Sequence, residues 1–180
     1  TVDNTSSNKV ITDIANGSMN KITAAVLAGV AYSQDETVTE VSFRQGKGSA
    51  GYELGNVSVR TNTENTAISN VTPSAGGVSA NLVGLNVNLA SAKSTGKTVS
   101  NVTVDGKISS DKDFEVYANG KNTVEANVRI PEVTLSAVNV ALNVAMADMA
   151  AKQSAKLTMG NGANIRAKEK VSVISEPTPY

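Results

Sequence analysis

Val57-Ser-Val-Arg-Thr-Asn-Thr-Glu-Asn-Thr-Ala-Ile-Ser-Asn-Val71 returns 57 residues later as Phe114-Glu-Val-Tyr-Ala-Asn-Gly-Lys-Asn-Thr-Val-Glu-Ala-Asn-Val128. Val59 falls on Val116, Asn62 on Asn119, Asn65-Thr66 on Asn122-Thr123 and Asn70-Val71 on Asn127-Val128, without a gap. The match runs on through Val83 over Val140, Leu85-Asn86-Val87 over Leu142-Asn143-Val144 and Ala90 over Ala147. The 34 positions from Val57 to Ala90 hold 13 identities, where this composition yields about three by chance. Val171-Ser-Val173 stands at the same spacing again and opens a further copy. The chain thus reads as one repeat-built segment over 1–176 with a tail at 177–180, its copies lying at about 1–56, 57–113 and 114–170. Both ends read as cuts in a longer parent.

The first copy is worn. Val26, Ala28, Val30 and Tyr32 lie 57 residues before Val83, Leu85, Val87 and Leu89, whereas Thr37–Phe43 matches Thr98–Val104 at an offset of 61. Leu157-Thr-Met-Gly160 echoes Val102-Thr-Val-Asp105.

Inside each copy apolar residues alternate, as in Val83, Leu85, Val87, Leu89 and in Val138, Val140, Leu142, Val144, Met146. Period two marks strands with one buried face. We therefore expect these residues to point inward and to stack into a dry aliphatic spine. Asp105-Gly106 and Asn119-Gly120 suit two-residue hairpins with antiparallel pairing as well. They read better as turns between the faces of a solenoid, and the recurring Asn residues as turn holders, because Asn tolerates left-handed backbone. The expected fold is all-β: a right-handed parallel β-helix, or solenoid, with about three coils of 19 residues per 57-residue repeat. Up to Met146 the segment from Ala137 reads as strand. Over 147–156 the Ala- and Met-rich sequence leaves a short helical turn open.

Composition narrows the function. Sixteen basic and sixteen acidic residues cancel, so no net field favours nucleic acid, and no apolar run reaches the ~18 residues of a membrane-spanning helix. His and Cys are both absent, which excludes histidine and cysteine relays and zinc sites built on those residues. The loop Gln45–Gly51 lacks the spacing of a phosphate cradle and reads as a surface turn. Asp111, Asp113 and Glu115 stand at i, i+2, i+4, a spacing that puts three carboxylates on one face of a strand. Such a row suits calcium or acid/base work on a sugar. A solvated outer face is the plainer reading, since the next copy has Lys168, Lys170 and Ser172 there. Thr37-Val-Thr39 and Thr61-Asn-Thr63 have the form of ice-binding threonine rows but no regular ladder. We expect no cofactor, no metal and no catalytic residues.

Val102–Ser109, Phe114–Ala126 and Ala163–Val173 resemble the repeat regions of filamentous-haemagglutinin-type exoproteins, which Gram-negative bacteria export by two-partner secretion. Ala80–Ala90 is similar to the leukotoxin-type branch of these adhesins. The resemblance covers roughly 55–175. It implies a right-handed parallel β-helix that is secreted or held at the bacterial surface, with roles in adhesion, toxicity or contact-dependent killing, and it carries over no site residue. On this reading the chain is a structural and adhesive shaft segment, not an enzyme. Its partners would be neighbouring coils of the parent and a host-cell protein or glycan. The alternatives are a carbohydrate-active β-helix enzyme using Asp111, Asp113 and Glu115, and a receptor-binding fragment of a cytotoxin.

Overall fold

The computed structural model describes residues 1–15, 22–45, 50–72, 81–129 and 136–177, with the backbone alone at 22–25, 81–86, 136–141 and 177. Among the described residues ten strands run in the order β1 (Val2–Ala15), β2 (Ile22–Arg44), β3 (Tyr52–Leu54), β4 (Val57–Thr72), β5 (Asn81–Asp105), β6 (Lys107–Ser110), β7 (Phe114–Val128), β8 (Ser136–Met159), β9 (Asn164–Ala167) and β10 (Val171–Pro177). Among the described residues there is no helix, and 147–156 lies inside β8. The short helical turn left open there is a strand.

The strands form three parallel sheets: β1-β4-β7-β10, β2-β5-β8 and β3-β6-β9. The chain visits them in rotation. In the first sheet Val2 pairs with Val59, Val59 with Val116 and Val116 with Val173. One repeat is therefore one pass through all three sheets, not three coils of 19 residues. The expected coil was too short because a 57-residue period was divided by a typical coil length. These strands are instead unusually long, up to 25 residues in β5.

In the second sheet Thr37 pairs with Thr98 at the offset of 61. Val26 pairs with Val87 rather than Val83, and Val87 with Leu142 rather than Val144. The offsets there are 61 and 55, so the identities at 57 do not mark hydrogen-bonded neighbours in this sheet. These shifts of four and two residues are both even and leave every side chain on its own face, which is why the alternation survives the slip.

The interior has two parts. Where all three sheets converge, Val57, Val59, Val102, Val104, Ile108, Phe114 and Val116 are buried together. Phe43 packs there against Phe114 and Tyr52, at centroid distances of 6.3 and 6.0 Å. Away from that end only the first two sheets face each other, and the filling is small and largely polar: Ser33, Thr37, Thr39, Thr61, Thr63, Asn65, Ser94, Thr98, Ser100 and Asn122 are buried. The larger aliphatic cluster lies at the three-sheet end; between the two long sheets Ala31, Ala67 and Ala92 form a second, small apolar cluster, and Val71 is fully buried. Thr61 Oγ1 donates to Thr39 Oγ1 across the gap at 2.7 Å, and Ser94 Oγ to Asn122 Oδ1 at 3.2 Å. A Cβ on Gly96 would sit 2.6 Å from Asn122 Oδ1 and 2.8 Å from Asn65 Nδ2. The two sheets are close enough to exclude larger side chains there.

The recurring pairs Asn65/Asn122 and Asn70/Asn127 build ladders here, not turns. Asn65 Nδ2 reaches Asn122 Oδ1 at 3.4 Å inside, while Asn127 Nδ2 donates to Asn70 Oδ1 at 2.9 Å outside. In a parallel in-register stack identical amides lie one strand spacing apart, so each carbonyl meets the next amide group. Asn119 and Gly120 lie within β7. Asp105-Gly106 does turn the chain between β5 and β6, with Gly106 at φ 138°. Of the Gln45–Gly51 loop, Gly46–Ser49 lies outside the described residues.

Candidate functional site

The acidic row does not form. Asp111 and Asp113 lie in the bend before β7, and only Glu115 is on the strand. Asp111 Oδ1 meets Lys168 Nζ at 2.6 Å. Glu115 Oε2 accepts from Arg60 Nη2 at 2.8 Å, from Arg60 Nε at 3.2 Å and from Ser58 Oγ at 3.3 Å. The hydrogen bond to Glu115, then its charge, pushes the Arg60 guanidinium above its ordinary value, and Asp111 raises Lys168 in the same order. Two of the three carboxylates are thus committed to cations on neighbouring passes. No group of three or more acidic residues able to hold a metal occurs among the described residues.

The threonine pairs also turn inward. Thr37, Thr39, Thr61 and Thr63 are all buried, which removes them from any exposed ice-binding face. Their alternation was visible in the sequence, but period two does not say which face is out.

Two surfaces remain. The first is a groove of about 590 Å³ on the outer side of the shortest sheet, lined by Tyr52, Glu53, Lys107, Ser109, Asn164 and Arg166 among others. Glu53, Ser109 and Arg166 are register neighbours on β3, β6 and β9, and Lys107 pairs with Asn164. Gly51, at φ 113°, lets the chain close over Lys107, whose carbonyl oxygen would be 2.9 Å from a Cβ. The Tyr52 hydroxyl donates to Arg44 O at 2.6 Å, and Lys107 N donates to Gln45 Oε1 at 2.8 Å. These bonds hold the groove wall to the end of β2. The lining offers one carboxylate, two cations and several hydrogen-bonding side chains. No sequence motif pointed to it, because its residues lie 56 or 57 apart and meet only through the register.

The second surface is the outer face of β2-β5-β8. Of the alternating apolar residues expected to point inward, Val87, Leu89, Leu142, Val144 and Met146 point outward, while the side chains of Val83, Leu85, Val138 and Val140 lie outside the described ones. Val26, Val30, Leu142 and Met146 are 76%, 63%, 56% and 50% exposed, whereas Asn88, Ala90, Ala92 and Ser94 point in and are buried. The narrow gap decides this, since a Cβ on Gly29 would already meet Ser69 Oγ at 2.9 Å. Small residues fit inside, so the larger aliphatic ones face out against the usual preference. Beyond them along the strands the same face turns charged, with Lys93 to Asp148 at 2.8 Å and Lys97 bonded to Glu36.

No helix among the described residues is long and apolar enough to cross a membrane. No known family model, curated protein or solved structure matches this chain.

Proposed function

We propose that the chain is a stretch of right-handed parallel β-solenoid from a secreted or surface-held bacterial adhesin, of the filamentous-haemagglutinin kind, that presents broad flat faces for attachment to a host-cell surface. Right-handedness follows from the rule for parallel strands joined by crossover connections, which nearly all wind that way.

The observation that carries the reading is the size of one pass. Each repeat adds one strand to each sheet, so 57 residues advance the stack by only about 4.8 Å. A 19-residue coil would reach the same distance with a third of the chain. In exchange, a 25-residue strand spans roughly 80 Å across. Such a stack favours surface over reach, and presentation over spacing. The polar groove suits a ligand rich in hydroxyl and carboxylate groups, such as an acidic surface glycan: Lys107 and Arg166 meet the carboxylates, Ser109 and Asn164 the hydroxyls. Its single carboxylate, Glu53, lies in a groove lined by two cations, which favours holding a sugar over the paired acid and base of hydrolysis.

The test is binding of the labelled, purified chain to host cells and to immobilised acidic glycans, beside the Lys107→Ala/Arg166→Ala variant. Saturable binding that the variant loses supports the proposal. Absence of saturable binding, or cleavage of the glycan by the chain, overturns it.

A further inference from the structure

We propose that the outer face of β2-β5-β8 pairs with the same face of a second copy, about a twofold axis that runs parallel to the strands over β5. Such an axis lays β2 of one copy on β8 of the other and β5 on itself, with strand positions kept level.

The register makes the face self-complementary under that operation. Val26 and Leu142 share one row, as do Ala28 and Val144, and Val30 and Met146. The twofold axis sets the members of each row on one another, with Val87 and Leu89 meeting their own copies at the centre. The charged rows match as well. Glu40 on β2 is level with Lys156 on β8, and Glu36 with Lys152, so these two carboxylates of one copy face lysines of the other, while Asp148 faces Tyr32 and stays paired with Lys93 of its own chain. Lys93 and Lys97 lie on the axis opposite their own copies, and there each is already bonded to a carboxylate of its own chain, Asp148 and Glu36. An axis running across the strands would lay the apolar rows on the charged ones. Centred on Ala28 it would match the apolar rows but leave Glu40 and Lys156 facing nothing.

Area favours a second copy too. Twenty-four outward positions lie between the rows of Val26 and Glu40. At about 6.6 Å by 4.8 Å each they cover roughly 760 Å² per copy, close to the ~800 Å² per partner of standard stable complexes. The mixed signs on the face also give an anionic lipid surface no purchase, since Glu36 and Glu40 face the same way as Lys152 and Lys156.

Sedimentation velocity of the full chain over the micromolar range tests this. A concentration-dependent dimer is expected. Val30→Lys with Met146→Lys weakens it about 100-fold by burying two charges among aliphatic groups. Glu40→Lys or Lys156→Glu alone weakens it about 10-fold, and the combined charge swap restores it. All these side chains point outward, so circular dichroism of the variants stays that of the parent. A monomer at every concentration overturns the proposal. So do single swaps without effect on a dimer that the apolar variant dissociates, or a monomeric chain that instead co-sediments with neutral phosphatidylcholine vesicles.

Discussion

Gly96→Ala adds one methyl group at a narrow point between the two long sheets. The new Cβ would stand 2.6 Å from Asn122 Oδ1 and 2.8 Å from Asn65 Nδ2, where carbon needs well over 3 Å. Asn65 is fully buried and Asn122 is 7% exposed, so neither amide can swing into water. Moving them breaks the 3.4 Å bonds from Asn65 Nδ2 to Asn122 Oδ1 and to Thr95 O, and the 3.2 Å bond from Ser94 Oγ. Overpacking of this kind costs about 1–3 kcal/mol, and each buried bond lost about 1 kcal/mol more. The smaller entropy of the unfolded alanine chain gives back about 0.4–1 kcal/mol. The net loss is about 3–6 kcal/mol, readable as a fall of about 1 M or more in the urea midpoint followed by circular dichroism. Gly55→Ala is the control, since nothing lies within 4 Å of its Cβ position, and it should match the parent or gain slightly. A Gly96→Ala chain as stable as the parent would refute the close approach of the sheets.

Phe114→Ala removes the largest fully buried side chain, at the three-sheet end, and should cost about 3–5 kcal/mol in the same urea assay. Thr61→Val strips the donor from Thr39 Oγ1 and should lose about 1–3 kcal/mol, with part regained in the Thr39→Val/Thr61→Val double variant; additive losses would deny the contact. Lys93 holds its proton more tightly when folded, chiefly through its hydrogen bond to Asp148 and then through that carboxylate's charge. Its contribution is therefore complete below the ordinary lysine value and is lost as pH rises from there through the raised folded one. Thermal midpoints should drop as pH rises above about 10.4, less steeply in Lys93→Gln, and equal slopes would contradict the pairing.

Three levels of information separate in this chain. Strand conformation was legible directly, because alternation at Val138–Met146 and the Val-, Thr- and Asn-rich runs leave little room for helix. So was the neighbour relation in the first sheet, where the 57-residue identities are hydrogen-bonded partners. The candidate sites were not legible. Asp111, Asp113 and Glu115 looked like one row because strand spacing was extended through residues that form a bend. Glu53, Ser109 and Arg166 looked unrelated because their proximity comes from stacking.

The sequence by itself determined that the chain is built of strands and repeats, since backbone preference and period are local properties. Which face of each strand looks inward, and how many residues make one pass, only the tertiary structure decided. Alternation is symmetric between two faces, and the choice fell to the width of the gap. Where three sheets leave room, Phe114 and Val116 go in; where two sheets nearly touch, Ala92 and Ser94 fill the space and Val30 and Met146 are left outside.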